Sequence, residues 1–245
     1  MGLKALKQQM AQEDKAREER SSGGGFVKAL RDYELLKKHD NAVRLRFAQE
    51  MDEDAANVTD KGLGVIFTEH ATPFNKANPK GFRTARCTME SEGNCYGCER
   101  YADRSDENSK GWRPFQRIYV NAIAETTDDD GNKAYLPFVW AQKARSSVVA
   151  QLMEYAEDAD TITDAVFKFS KSGKDTDTKY NLMPTRQDVA PYDASGVELY
   201  DLEKVSPAIP YEKQAAFYGG GVVATEESSN KPAVAKPTES DDETW

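Results

Sequence analysis

The chain has 245 residues, of which 38% are hydrophobic and 31% charged, with a formal net charge of −9. A mean hydropathy of −0.76 leaves too little apolar material for one compact core built from the whole chain, so part of it is expected to stay unpacked. No run approaches eighteen consecutive apolar residues and the start from Met1 to Lys15 is polar, which argues against a membrane span or secretion and for an intracellular protein.

Residues 3 to 20 read as a polar helix with a thin stripe of Leu3, Leu6 and Met10, and Ser21 to Gly25 reads as a hinge, so 1–25 form a flexible N-terminal arm. Phe26, Leu30, Tyr33 and Leu36 recur at helical spacing in a short amphipathic helix that ends near Lys37 to Asn41. From Val43 the period changes to two: Val43, Leu45 and Phe47 share one face, Arg44 and Arg46 the other, as in a half-buried strand. Further strands are predicted over 64–68, 117–124, 135–141, 165–170 and 179–183, with a hairpin turn at Asp128 to Asn132 between the third and fourth of the six. A helix is predicted over 142–158, with Ala144, Val148, Leu152 and Tyr155 on its apolar face. After Met183, prolines at 184, 191, 207 and 210 predict an extended flank running over the domain, and 219–245 read as a disordered acidic tail. The fold expected is mainly β with short helices. Its order of strands, one helix and two final strands resembles an elaborated OB-fold barrel spanning 26–218.

The sharpest chemical signal is His70, Cys87, Cys95 and Cys98, spaced H-x16-C-x7-C-x2-C, which takes all three cysteines and one of the two histidines. An odd cysteine count argues against a closed disulfide framework, whereas three thiolates and an imidazole suit one tetrahedral structural Zn²⁺. The polar stretch Thr72 to Gly81 has little with which to hold itself in place, so a metal crosslink over about 70–111 supplies a constraint. A thioredoxin-like use of Cys95 and Cys98 needs a βαβ context that is absent. A zinc deaminase needs His-x-Glu and a Pro before the first Cys of its pair, but Ala71-Thr72 follow His70 and Asn94 precedes Cys95. With four protein ligands no coordination position remains for a catalytic water, so the expected zinc is structural, and without a His pair or a metal-holding acidic dyad elsewhere the chain is expected to be no enzyme.

Charge is unevenly spread. Residues 76–186 hold seventeen basic and seventeen acidic residues, while 187–245 hold four basic against twelve acidic, so a basic groove in the middle is compatible with the acidic total. That middle interleaves cations with aromatics, the mixture that single-stranded nucleic acid wants, because bases stack on rings while Lys and Arg track the phosphates. Candidate contacts are Arg83, Arg86, Trp112, Arg113, Arg117, Tyr119, Trp140, Lys143, Phe167, Lys168 and Lys171. Trp112, in a polar stretch beside Arg113, and Tyr119, opposite the Ile118 and Val120 face, are the expected exposed platforms. Aromatics in strands are more often core than platform, and that alternative applies to Phe47, Phe138, Phe167 and Phe169.

The arrangement resembles the zinc-containing single-stranded DNA-binding proteins of T-even bacteriophages and other tailed phages. The His-Cys-Cys-Cys order, Phe82 to Cys87, Gly93 to Cys98 and Tyr119-Val120-Asn121 carry the resemblance. It implies an arm for self-association along DNA, an OB-fold core with a zinc-bearing insertion, and an acidic C-terminal region that recruits replication and recombination proteins (polymerase, helicase or primase, recombinase). It further implies a role in replication, recombination and repair in the cytoplasm of an infected bacterial host. Two departures stand out. Arg17 to Ser22 interrupts the family's basic run with Glu18 and Glu19, and the ending Asp241, Asp242, Glu243, Thr244, Trp245 is more similar to the tails of bacterial single-stranded DNA-binding proteins, which makes these acids and Trp245 the expected partner-binding residues. Two other classes compete: a zinc-stabilised nuclease or DNA-processing enzyme, which lacks a His pair or metal-holding acidic dyad here, and a zinc-bearing adaptor that binds no nucleic acid, for which Trp112 and Tyr119 would be buried.

Overall fold

The computed structural model describes residues 29–74, 82–127, 132–173, 177–193 and 196–220. The expected arm over 1–25, most of the turn at 128–132 and the tail beyond 220, with Asp241, Asp242, Glu243 and Trp245, lie outside the described residues. The described chain forms two compact units. One comprises 68–74, 82–114 and 206–220; the other comprises 29–67 and the described residues of 115–205.

Seven antiparallel strands dominate: β1 (Ala42–Phe47), β2 (Val65–Ala71), β3 (Thr84–Arg86), β4 (Phe115–Thr127), β5 (Lys133–Lys143), β6 (Val166–Ser172) and β7 (Lys179–Arg186). They run in the order β3-β2-β4-β1-β6-β7, with β5 also paired to β4. Among the described strands these pairings form an open sheet, and closure into a barrel is not among them. The six strands read from the sequence are all present. β3 is the one missed, three residues being too short for a period of two to register.

In the second unit the first face of the sheet holds Val43, Leu45, Phe47, Val120, Ala122, Phe138, Trp140, Phe167 and Phe169. Two helices cover it: α1 (Asp32–Lys38) with Leu35 and Leu36, and α4 (Ser147–Ala159) with Val148, Val149, Leu152 and Tyr155. α4 starts five residues later than its apolar spacing predicts, because β5 continues to Lys143 and the Ala144 amide still donates to the Gln116 carbonyl at 3.0 Å. It ends at Asp160, whose φ of 56° is the left-handed conformation that stops a helix.

The opposite face is covered too, and this overturns the alternation argument for Tyr119. The flank after β7 lays Val189 and Val197 on Ala48, Ile123, Tyr135 and Val166, with Tyr192 and Leu199 beside them. Asn121 pins that flank: its Nδ2 donates to the Tyr200 carbonyl (2.9 Å) and its Oδ1 accepts from the Tyr200 amide (3.0 Å), while Gln49 Oε1 accepts from the Asn121 amide and side chain. Tyr119, on the same face, is 1% exposed, against Phe67 and beneath the Arg31 guanidinium, 5.1 Å from its ring. A strand buried on both faces loses the apolar and polar alternation, so polarity on one side no longer means solvent.

Candidate metal centre and nucleic-acid interface

The first unit is built around the four ligand candidates. His70 lies near the end of β2 and pairs in register with Ala85 of β3, and the Cys87 amide continues that pairing by donating to the Thr68 carbonyl at 2.8 Å. After a turn of helix, α2 (Met89–Glu92), Gly93 turns the chain at φ 75°. Cys95 then precedes α3 (Tyr96–Ala102) and Cys98 sits in its first turn, so the Cys-x2-Cys spacing brings both sulfurs to one end of a helix.

The four ligand atoms lie within 4.8 Å of one another. Cys87 Sγ is 3.6 Å from Cys98 Sγ, and Cys98 Sγ is 3.3 Å from His70 Nε2. A tetrahedral zinc with its usual bond lengths sets sulfurs about 3.8 Å apart and sulfur and nitrogen about 3.5 Å apart, so the cluster has the dimensions of that site. The imidazole is also in the right tautomer. Nδ1 lies 2.7 Å from the Trp112 carbonyl, which can only accept, so Nδ1 carries the proton and Nε2 presents its lone pair to the sulfurs. All three cysteines are free of disulfides. The residues could therefore hold a metal ion, and the donor set is consistent with zinc.

The thiols are electrostatically distinct. Burial pushes Cys95 up, but its contact with the His70 side chain and the hydrogen bonds involving the backbone at Cys98 and Thr88 outweigh it and bring the thiol down to about 6. Cys98 is pushed up to about 12 by burial, then by the neighbouring Cys87, and burial also raises Cys87. A divalent cation would remove this conflict by drawing all three to the thiolate form.

The supporting residues were not legible in the sequence. α5 (Tyr211–Tyr218), within the stretch expected to be extended, sends the fully buried Gln214 into the cysteine loop. Its Nε2 donates to Thr88 Oγ1 (2.9 Å) and the Ile209 carbonyl (2.8 Å), and its Oε1 accepts from the Tyr96 amide (2.9 Å). Thr88 Oγ1 in turn donates to the Asn94 carbonyl at 2.6 Å. An isolated Gln more than a hundred residues away carries no pattern to announce this role. Gly97 is the second missed residue: a Cβ there would stand 2.3 Å from His70 Cγ, so only glycine lets α3 pack on the imidazole.

Trp112 is corrected from platform to core. It is 7% exposed, packed edge-on to Tyr218 (5.0 Å) and Tyr96 (5.7 Å) in a cluster with Ala85 and Ile209. Its neighbours in sequence are polar, but in a unit with few and short strands the indole supplies core that they cannot. Tyr119 is buried as described, and Trp140 and Phe167 lie in the central core, so none of these four offers a ring face to a base.

The cations are differently placed. Arg113, Lys143 and Lys168 are exposed, while Arg83, Arg86, Arg117 and Lys171 are partly buried. Arg83 stacks its guanidinium 5.3 Å from the Phe217 ring centroid, and Nη2 donates to the Gly220 carbonyl. The Arg86 amide donates to the Pro207 carbonyl. Arg117 and Lys143 approach one partly buried ring, Phe115. Phe74 and Phe82 are among the exposed aromatics of the first unit. No protein-family model matches the chain, and no curated protein matches it. Among the described residues no helix is long and apolar enough to cross a membrane.

Proposed function

We propose that this chain is a non-catalytic single-stranded DNA-binding protein of the zinc-containing phage type, with one structural Zn²⁺ on His70, Cys87, Cys95 and Cys98. The observation that carries the proposal is the convergence of those four residues, in the order His-Cys-Cys-Cys, into a set whose donors are all protein atoms. Such a set fixes a fold and leaves no coordination position for a reacting water, which favours a binding protein over a hydrolase. A mainly antiparallel sheet is consistent with an OB-type core, and the acidic residues of 226–245 would serve replication and recombination partners.

A specific observation favours a second function. Trp112 and Tyr119 are buried, as expected of a zinc-stabilised adaptor that binds no nucleic acid. One titration separates the two. Zinc-loaded full-length protein is added to a fluorescently labelled dT oligonucleotide and to a duplex of equal length, and anisotropy is followed at two salt concentrations. Binding to the single strand that exceeds binding to duplex and weakens with salt is expected, since stacking and counterion release would supply the affinity. A flat anisotropy trace at low salt would leave the adaptor as the better account.

A further inference from the structure

Single exposed hydrophobic residues are ordinary on a protein surface, but two aromatic rings on one hairpin are a patch. Phe74 and Phe82 are 68% and 53% exposed, with no ring partner among the described residues. The pairing of β2 with β3 brings them together. Ala71 stands opposite Thr84, and beyond that pair the Thr72 amide donates to the Arg83 carbonyl while the Arg83 amide donates to Thr72 Oγ1, both at 2.9 Å. One step further in the same register Pro73 faces Phe82, and Phe74 follows it. Phenylalanine has no polar edge to present to water, so the exposure of each ring is unfavourable until a ligand covers it.

Cations stand beside the rings. The 3₁₀ turn Ser109–Trp112 packs on the hairpin, since a Cβ on Gly111 would lie 2.8 Å from Pro73 Cβ. His70 ties the two elements together: it precedes Phe74 on the hairpin, and its Nδ1 meets the carbonyl of Trp112, which lies between Lys110 and Arg113. Both cations are exposed and make no ion pair among the described residues. The acids that come before them are engaged elsewhere, because Arg100 pairs with Asp103 and Asp106. Over 103–113 the exposed charges are Arg104, Lys110 and Arg113 against Glu107 alone, so this stretch presents positive charge.

Exposed rings with positive charge beside them suit an anionic ligand that has flat apolar faces, and a nucleotide chain is such a ligand. In a duplex the base faces already stack on one another, so a surface ring finds a partner only in unpaired bases. We propose that Phe74 and Phe82 stack unpaired bases of a single strand while Lys110 and Arg113 hold its phosphates. The proposal rests on the single-strand function above and assigns its contact site in the first unit, in place of the buried Trp112. The rings supply the salt-independent part of affinity and the two cations the salt-dependent part.

The test uses the zinc-loaded full chain and a labelled dT oligonucleotide. Phe74→Ala, Phe82→Ala, Lys110→Gln and Tyr33→Ala, the last removing an exposed ring of the second unit, are compared with the parent over a salt series. Each of the two Phe variants should lower affinity about 5- to 150-fold at every salt concentration, with the slope of log K against log salt unchanged. Lys110→Gln should lower that slope by about 0.7, and Tyr33→Ala should match the parent. Thermal melting of each variant checks that it is folded, which the exposure of all four side chains favours. If the parent binds and the Phe74, Phe82 and Lys110 variants all match it in affinity and slope, the hairpin assignment is overturned while the single-strand function stands. A loss at Tyr33 equal to that at Phe74 would also overturn it, since the effect would then belong to any exposed ring. If the parent fails to bind, both readings fall together. A parent that runs as a dimer without DNA, and as a monomer once Phe74 is replaced, would give the rings to a second copy of this chain and overturn the strand assignment.

Discussion

Gly97→Ala gives opposite results by helix propensity and by tertiary structure. Gly97 lies within α3 at an ordinary helical position, where alanine is the better helix former by about 1 kcal/mol. By local propensity the variant should be more stable. The added Cβ, however, would lie 2.3 Å from His70 Cγ and 2.7 Å from its Cβ and Cδ2. Comfortable carbon separations are about 3.5 to 4.0 Å, so the ring or the helix must move by more than about 1 Å. Metal ligands tolerate displacements of roughly 0.2 Å. The imidazole would also leave the Trp112 carbonyl that fixes its tautomer, so metal affinity should fall at least the 10- to 100-fold typical of a lost supporting contact, about 1.4 to 2.7 kcal/mol. Competition with a chromogenic zinc chelator reads the affinity, and melting with and without chelator reads the coupling to stability. Gly93→Ala is the control: a Cβ there meets nothing within 4 Å, and the cost is only the strain of φ 75°, about 1 to 2 kcal/mol, with metal affinity retained. An alanine variant at 97 that keeps parental zinc affinity and melts higher would refute the placement of His70 against α3.

Trp112→Ala should destabilise the metal module by about 3 to 5 kcal/mol, through the cavity left among Tyr96, Ile209 and Tyr218, and zinc retention on dilution should fall with it; a well-folded variant with parental melting would restore the exposed-platform role. Asp32 is pushed up to about 6 by burial, against the opposing hydrogen bond from Gln142. Between about pH 4 and 6 the folded chain therefore holds a proton that the unfolded chain has released, so this group makes stability fall with rising pH, by about 3 kcal/mol once above pH 6. Asp32→Asn should remove that slope in urea denaturations across the window, and an unchanged pH profile would contradict it. Glu50 is a buried carboxylate whose oxygens accept from Thr161 and Thr163 hydroxyls and from the amides of Ile162 and Thr163. Glu50→Gln turns an N–H toward one of those donors and should cost about 1.5 to 3 kcal/mol in urea denaturation at pH 7; an unmoved midpoint would show that the loop rearranges instead.

Sequence alone determined those features in which local period or residue type decides the outcome. The strand around Val43 follows from alternation, those around Ile66, Tyr119, Phe138, Phe167 and Leu182 from short runs of strand-forming residues, and α4 from Val148, Leu152 and Tyr155 at helical spacing. The ligand set was legible because thiols and imidazoles are so scarce here that a cluster of four stands out. Tertiary structure decided the rest. Which rings face solvent depends on what covers the second face of the sheet, and the covering flank from Val189 to Tyr200 is joined to it by Asn121 across about eighty residues. Likewise Gln214 and Gly97 matter only through what lies against them in space, the cysteine loop for one and an imidazole for the other. Local pattern reports the conformation of a segment. Burial belongs to pairs of segments distant in sequence, which is why Trp112, from its polar stretch, and Tyr119, from its place opposite Ile118 and Val120, read as exposed and prove to be core.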